Sequence, residues 1–276
     1  WCFCVMVLDL EHSLRGYKRE LFVAKKLARA AGGIVLDEWG TEKVGFKPGY
    51  REKHEFVTSA DLASELELIE GIHSVFPNHS ILSEEKGYIK RDSDYLWLID
   101  PLDGTTNYVS HNPYWAVSLG LAYKDKLLVG VVFAPALNEM FFAMRGRGAF
   151  LERSRIRVAR ERDFEDALIS LGAPRQFINA GQERVFSRIA EASKHLRWFG
   201  SAALDLAYVA CGRIHACVRA SMPKPWDLAA GALLVSEAGG IVTDFNGKKW
   251  RPELRNVIAA NPRLHKHLRD LVENAK

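Results

Sequence analysis

Residues 100–107 constrain this chain more than any other stretch. They read Asp-Pro-Leu-Asp-Gly-Thr-Thr-Asn and follow an apolar run, residues 95–99, that predicts a strand. Asp100 and Asp103 would then stand at the end of a rigid element, with the Leu102 carbonyl able to point the same way. Carboxylate and carbonyl oxygens converging on one point suit Mg²⁺ rather than zinc.

The residues after the second acid predict a place for a phosphate group. Gly104 lets the backbone approach a ligand closely. If Thr105 and Thr106 open a helical turn, their N–H groups would hold an anion there. Asp-Pro and Asp-Gly pairs are also ordinary turn formers, so neither pair is specific alone. The combination of strand, acids and threonines predicts metal-assisted phosphoryl chemistry.

The bulk composition describes an ordinary globular protein. The 276 residues are 48% hydrophobic and 26% charged, enough for one large domain or two modest ones. A net charge of +4 and a pI of about 8.8 suit anionic small molecules. The basic residues are scattered rather than clustered, so the sequence carries no signature of nucleic-acid binding.

Cysteine spacing and the amino-terminal residues predict a cytoplasmic protein without a membrane partner. The four cysteines, Cys2, Cys4, Cys211 and Cys217, form no CxxC pair and suggest neither a zinc site nor a disulfide framework. The mostly apolar residues 1–10 are too few to span a bilayer and lack the features of a signal peptide.

Two amphipathic helices are predicted near the start of the chain. The first covers residues 11–38. The second begins near Asp61, is capped by Thr58 or Ser59, and ends at Pro77. The apolar stripe that would bury this second helix consists of Leu62, Leu66, Ile69 and Phe76.

The remaining pattern predicts an α/β (α+β) fold. Residues 116–151 read as an antiparallel meander, and residues 167–273 alternate between short strands and helices, which indicates a mixed sheet. Residues 227–238 form a nearly all-apolar helix stopped by two glycines. Dense charge at residues 152–163 suggests a boundary. We therefore expect an N-terminal subdomain over 11–152 and a C-terminal subdomain over 153–276.

Four further acidic residues have both an ordinary and a chemical interpretation. Glu84 and Glu85 follow a short strand and are consistent with a solvated turn. Asp61 and Asp227 each stand in the first turn of a helix, where a carboxylate caps free N–H groups. Everything after Asp227 reads as buried, however, and a buried acid needs a strong partner.

Taken together, these motifs resemble the inositol monophosphatase family over residues 17–273. Order and spacing agree for all four elements: Thr58-Ser59-Ala60-Asp61, Glu84-Glu85, residues 100–107, and Pro225-Trp226-Asp227 followed by Glu237-Ala238-Gly239-Gly240. The resemblance implies a layered αβαβα sandwich and a homodimer. It also implies hydrolysis of a sugar or polyol phosphate that depends on two or three Mg²⁺ ions and is inhibited by Li⁺.

Roles for individual residues follow from the same resemblance. The implied metal ligands are Glu84, Asp100, the Leu102 carbonyl, Asp103 and Asp227. The implied catalytic residues are Asp61, Glu84 and Thr105, with Asp61 and Thr105 polarising the attacking water. The implied phosphate and substrate contacts are Gly104, Thr105, Thr106, Gly200, Ser201, Ala202 and Arg219.

One position departs from the family. Members often have a glutamate that grips inositol hydroxyls seven residues before the last metal aspartate. This chain has Ala220 there, with Arg219 before it and Lys224 after it. Two cations in place of a carboxylate favour substrates with a second phosphate. We expect activity on inositol 1-phosphate and on fructose 1,6-bisphosphate.

Other functions stay open at this point. Related branches act on histidinol phosphate or on nucleotide 3′-phosphates. Haloacid-dehalogenase-type phosphatases also end a strand in Asp and follow it with Gly-Thr, but their acids are two residues apart rather than three. A non-enzymatic role, binding nucleic acid or protein through the basic surface, is the alternative from another class.

Overall fold

The computed structural model describes residues 16–47, 56–160, 163–172, 180–220, 224–252, 254 and 256–275. The described helices are α1 (Lys18–Glu38), α2 (Ser59–Val75), α3 (Thr105–Val109), α4 (Ala180–Ala192), α5 (Ala202–Ala210), α6 (Pro225–Glu237) and α7 (Pro262–Glu273). None of these helices combines the length and the apolar character needed to cross a membrane.

Fifteen strands are described, and they form three sheets. The strands are β1 (Val44–Phe46), β2 (Phe56–Thr58), β3 (Ser80–Ser83), β4 (Gly87–Ile89), β5 (Tyr95–Asp103), β6 (Ala116–Tyr123), β7 (Lys126–Ala134), β8 (Glu139–Met144), β9 (Gly148–Leu151), β10 (Ser154–Ile156), β11 (Leu168–Gly172), β12 (His195–Arg197), β13 (Ala216–Arg219), β14 (Ile241–Thr243) and β15 (Val257–Ala260). Single 3₁₀ turns stand at Pro135–Leu137 and Phe164–Asp166.

The two large sheets have different topologies. The first has eight strands in the order β10-β9-β8-β7-β6-β5-β3-β4, antiparallel except where β3 runs parallel to β5. The second has five strands in the order β12-β11-β13-β15-β14. Its β12, β11 and β13 are parallel and its other pairs antiparallel. The expected antiparallel and mixed sheets are thus confirmed, with one parallel pair added to the first.

Helices and sheets alternate in five layers. Helices α1 and α2 cover one face of the eight-stranded sheet, where Leu68 and Trp97 share a buried core. Helices α5 and α6 lie between the two large sheets. Helices α4 and α7 cover the far face of the five-stranded sheet. This arrangement confirms the expected αβαβα sandwich. The two middle helices pack against both large sheets.

Most helix ends agree with the sequence, but the start of α1 and one buried face do not. Helix α1 begins at Lys18, so Gly16 and Tyr17, predicted as helical, precede it, and residues 11–15 lie outside the described residues. Gly16 has a left-handed φ of +63°, which does not continue a helix. Thr58 caps α2 as expected. Leu62 and Leu66, however, are about half exposed, at 52% and 51%. The face that α2 buries instead carries Ala60, Asp61, Ser64, Glu65, Leu68 and Ile72.

The error on α2 has a physical cause. Helical periodicity locates a buried face by its apolar residues, whereas α2 places two acids and a serine against the interior. Those polar residues are buried because they reach hydrogen-bond partners on neighbouring elements. Ile69 and Phe76, also in the predicted stripe, do join the core.

Strands β1 and β10 lie where the sequence did not predict strands. Residues 40–55 are a polar, glycine-containing stretch with no strand pattern of its own, but their described part contains β1, which pairs with β2. Strand β10 follows the expected boundary at residue 152 and still belongs to the eight-stranded sheet. The division at residue 152 therefore stays a prediction, and the chain passes to the other large sheet between β10 and β11.

Candidate active site

Strand β5 contains a bulge that turns two acids to the same face of the sheet. Asp100 pairs with Ser118 and Asp103 with Ala116 on β6, so three steps along β5 match two along β6. In a regular strand, residues three apart point to opposite faces. The extra residue cancels that alternation. Pro101, which has no N–H to donate, fits such an interruption.

Gly104 makes the sharp turn that follows. Its φ of +97° is in the left-handed region, which favours glycine. A side chain there would also press on the Tyr114 carbonyl at 3.1 Å and on the Ser201 side chain at 3.3 Å. Helix α3 then begins at Thr105, as the sequence predicts. Thr106 is exposed in its first turn.

Asp61 is held at the start of α2 and is fully buried. Its Oδ2 accepts hydrogen bonds from the Thr58 N–H at 2.7 Å and the Thr58 hydroxyl at 2.6 Å. Thr105 Oγ1 lies 3.4 Å from Asp61 Oδ1 and 3.1 Å from the Leu102 carbonyl. Burial raises the pKa of Asp61 to about 7, against the hydrogen bonds from Thr58 and with help from the charges of Glu84 and Glu85.

Glu84 and Glu85 lie in the turn between β3 and β4, and Lys47 reaches both. Its Nζ lies 2.5 Å from Glu84 Oε1 and 2.7 Å from Glu85 Oε1. Burial alone would lower the pKa of Lys47, but the two carboxylates outweigh burial and raise it. Lys47 was not predicted as a site residue, because nothing distinguishes one lysine in a polar stretch from a solvated charge.

The amino-terminal end of α5 fixes Asp103. Ser201 caps this helix and donates its hydroxyl to Asp103 Oδ2 at 2.5 Å, and the Ala203 N–H donates to the same oxygen at 2.7 Å. Ala202, the first residue of α5, is buried, and Gly200 before it is exposed with a φ of +90°. The turn at residues 200–202 thus lies beside Asp103, and the substrate contacts that the resemblance implies for it stay a prediction.

Asp227 approaches from α6. Its Oδ2 accepts the Lys224 N–H at 3.0 Å, so it does cap the helix. The Ser118 hydroxyl binds the Trp226 carbonyl at 3.3 Å and ties the helix start to β6, beside the β5 bulge. Asp227 is partly rather than fully buried. Asp227 therefore both caps α6 and lies close to the other acids.

The acids act strongly on one another. Burial, and then the charges of Glu84, Asp103 and Asp227, raise the pKa of Asp100 well above its usual range. Burial and the charges of Asp103 and Glu84 do the same for Asp227. Burial raises the pKa of Asp103 to about 6, with Ser201, Ala203 and Arg219 opposing it. A cluster of this kind is stabilised by a cation placed among its members.

Arg219 contributes a positive charge at the other side of the cluster. It stands at the end of β13, opposite Gly172 of β11, and a side chain at Gly172 would occupy the space of its guanidinium. Asp205, completely buried in α5, pairs with this guanidinium and also accepts the Tyr114 hydroxyl at 2.8 Å. Arg219 is therefore held in place, and its side chain is 13% exposed.

The donor set fits a hard cation such as Mg²⁺. Among the described residues, no three carboxylate, thiol or imidazole side chains converge closely enough to hold a metal ion by themselves. The clustered donors are nevertheless oxygens, from carboxylates and the Leu102 carbonyl, and they repel one another. Protein groups already fix one oxygen of Asp100, Asp103 and Asp227. The full ligand set stays a prediction.

Comparisons with known proteins identify the family of the chain. The model of the inositol monophosphatase family matches residues 17–276. The protein named Nus factor SuhB of Escherichia coli K12 is 38% identical over 263 residues, covering 92% of this chain and 97% of that protein. Relatives with the same name occur in Salmonella typhimurium, at the same identity and coverage.

Solved structures show the same relationship. The extragenic suppressor protein suhB of Bartonella henselae has a TM-score of 0.87 at 33% identity, covering 93% of this chain and 99% of that one. The IMPase of Thermotoga maritima has a TM-score of 0.83 at 36% identity, covering 93% and 98%. The chain belongs to the inositol monophosphatase family, a family of generally Mg²⁺-dependent phosphatases whose substrates are phosphorylated small molecules.

Proposed function

We propose that this chain hydrolyses the phosphate monoesters of sugars and polyols in a Mg²⁺-dependent reaction. The observation that carries the proposal is the β5 bulge, which turns Asp100 and Asp103 to one face of the sheet. The charges of Glu84 and Asp227 raise the pKa of Asp100. The starts of α3 and α5 lie beside the two strand acids. Acids beside helix starts provide for a cation and for a phosphate group together.

The predicted site residues form two groups, the metal ligands and the phosphate contacts. Two or three Mg²⁺ ions would be held by Glu84, Asp100, the Leu102 carbonyl, Asp103 and Asp227. When bound, Mg²⁺ supplies Lewis-acid chemistry that activates water and offsets the charge on the phosphate group. Gly104 and Thr105 would donate backbone N–H groups to the phosphate oxygens, with Thr106, Gly200, Ser201 and Ala202 lining the same space.

Asp61 and Thr105 would orient the attacking water. Asp61 Oδ1 and Thr105 Oγ1 lie 3.4 Å apart, so one water molecule could contact both. Asp61 Oδ1 is not the oxygen bound by Thr58, so it would take up the proton as the water oxygen bonds to phosphorus. The phosphorus–oxygen ester bond breaks on the opposite side, the leaving alcohol gains a proton from solvent, and no covalent phosphoenzyme forms.

Substrate selectivity is proposed to rest on Arg219. Ala220 is buried, and its carbonyl accepts a hydrogen bond from Gln182 at 2.6 Å, so it offers no side chain to a polyol hydroxyl. The charge of the Arg219 guanidinium opposes the rise in the pKa of Asp103 and Asp227, so we place it near the substrate that these acids would bind. A fixed cation there favours a second phosphate, so the proposal covers both inositol 1-phosphate and fructose 1,6-bisphosphate.

A substrate panel tests this function. We would measure phosphate release in Mg²⁺, with and without Li⁺, from inositol 1-phosphate, fructose 1,6-bisphosphate, histidinol phosphate and adenosine 3′,5′-bisphosphate. Mg²⁺-dependent, Li⁺-inhibited release from the first two is expected. A preference of more than about a hundredfold in kcat/KM for inositol 1-phosphate over the bisphosphate, about 2.7 kcal/mol, would rule out the broad selectivity. Selective release from either of the last two would assign another branch.

The relatives named Nus factor SuhB favour a second candidate function, binding to nucleic acid or protein. The net charge of +4 is compatible with an anionic partner. Salt-sensitive binding of RNA that persists in an Asp100→Asn variant would support this role separately from hydrolysis. The homodimer implied by the family is likewise proposed, and sedimentation of the purified chain would test it.

A further inference from the structure

Glu65 is an acid near the proposed metal site with no predicted role. It lies in α2, four residues after Asp61, so both side chains point from the same face of the helix. Its exposed fraction is 0%. A fully buried glutamate is uncommon and needs a specific partner.

The partner of Glu65 is the turn that carries Glu84. Glu65 Oε1 accepts the Ser83 hydroxyl, the Glu85 N–H at 3.0 Å and the Lys86 N–H at 3.0 Å. Ser83 is the last residue of β3, and the other two donors follow Glu84 directly. One carboxylate oxygen therefore binds the turn on both sides of Glu84.

Stability alone does not explain this arrangement. In the described part of the chain, Glu65 Oε2 is buried and has no hydrogen-bond partner. Leaving a buried carboxylate oxygen unpaired costs free energy. A strong, charge-assisted acceptor for two neighbouring N–H groups does, however, hold a turn in one geometry.

We propose that Glu65 is a positioning residue of the metal site, which orients Glu84 toward Asp100 by fixing the main chain of residues 83–86. This inference rests on the proposed function, because it takes Glu84 and Asp100 as metal ligands. The charge of Glu84 raises the pKa of Asp100, so the two carboxylates lie close to each other, as the proposal requires. Because α2 also carries Asp61, one rigid helix sets the distance between the water-orienting acid and the Glu84 turn.

Metal binding measured directly is the test. Isothermal titration of Mg²⁺ into wild type, Glu65→Ala, Glu65→Gln and a control, Glu70→Ala on the exposed face of the same helix, would be compared with the Mg²⁺ concentration for half-maximal phosphate release. We expect Glu65→Ala to bind Mg²⁺ about ten- to a hundredfold more weakly, the range found for residues that orient metal ligands. Glu65→Gln keeps the acceptor oxygen, so it and the control should stay within about threefold of wild type.

Several results would overturn the inference. Unchanged Mg²⁺ affinity in Glu65→Ala would do so, as would equal losses in the Ala and Gln variants, because charge rather than position would then matter. If Glu65→Ala does not fold, Ser83→Ala removes one of the three donors and must weaken Mg²⁺ binding in the same direction. A wild-type chain that binds no Mg²⁺ refutes the proposed function itself, whereas normal wild-type binding with an unaffected Glu65→Ala refutes only the role of Glu65.

Discussion

Ser201 donates a 2.5 Å hydrogen bond to Asp103 although 98 positions of the chain separate them. The bond joins the end of β5 in the eight-stranded sheet to the start of α5, which packs against both large sheets. Ser201 also accepts the Leu204 N–H at 3.3 Å and so caps α5. One side chain thus couples the folding of the middle layer to the placement of a proposed metal ligand.

Replacing Ser201 with alanine should therefore lower both stability and activity. Losing the cap is expected to reduce the free energy of unfolding by about 1 kcal/mol. Asp103 also loses a hydrogen bond, so phosphate release should fall by about tenfold, as for a charge-assisted bond. Asn261→Ala, which removes the cap of α7, is the matched control: it should lose similar stability and keep its activity.

Lys47→Met should make Mg²⁺ binding tighter. The ammonium of Lys47 forms ion pairs with Glu84 and Glu85, and removing it leaves both carboxylates available to a cation. Half-maximal phosphate release should then need up to about fivefold less Mg²⁺, which corresponds to an ion pair worth about 1 kcal/mol. Lys86→Met, an exposed lysine in the same turn, should leave the Mg²⁺ requirement unchanged. A higher requirement in Lys47→Met would mean that Lys47 supports the site instead.

The pKa of Asp61 predicts how stability varies with pH when metal is chelated. The carboxyl has a pKa of about 7 in the folded chain and an ordinary pKa of 3.8, so the folded state binds more protons between these values. Stability from this group must then fall as pH rises from about 4 to 7. Asp61→Asn removes the titration, so its stability relative to wild type should increase over that window, by a few kcal/mol at most.

Denaturant unfolding of wild type and Asp61→Asn in a chelator, at pH 5 and pH 8, would measure this difference. Using the difference between the two proteins cancels other titrating groups, such as His265, whose pKa burial lowers to about 4. A constant difference at both pH values would show that Asp61 is not held with a raised pKa.

Arg219→Met should change selectivity more than turnover. Losing the guanidinium removes the attraction for a second phosphate, so kcat/KM for fructose 1,6-bisphosphate should fall about tenfold relative to inositol 1-phosphate. Arg213→Met is the control, because Arg213 pairs with Glu139 in a surface ion pair. An equal loss of kcat/KM on both substrates would mean that Arg219 positions Asp103 and does not select the substrate.

Local chemistry made much of the fold and site predictable. Thr58 predicts the start of α2 because a hydroxyl at that position can accept a hydrogen bond from a free N–H group of the first turn. Gly104 and the threonines predict a turn into a helix, and the turn is there. The alternation of apolar runs located most strands, and the order and spacing of four motifs along the chain pointed to the family.

The rest depends on contacts between distant segments. The β5 bulge is defined by pairing with β6, which no local pattern reveals. No local pattern distinguishes Lys47, Glu65 or Asp205 from ordinary charged residues, and only the packed chain shows their partners. Leu62 and Leu66 read as core residues for the converse reason, since the polar face of α2 has partners inside and displaces them to the surface.

Phosphate release by wild type and Asp100→Asn in Mg²⁺, measured beside thermal unfolding in a chelator, is the deciding comparison. Asp100 is buried among acids that raise its pKa, so the neutral amide should fold as well as wild type or slightly better without metal. Turnover should fall by at least about a thousandfold, about 4 kcal/mol. A variant that turns over normally, or one that fails to fold, would contradict the assignment of Asp100 as a metal ligand.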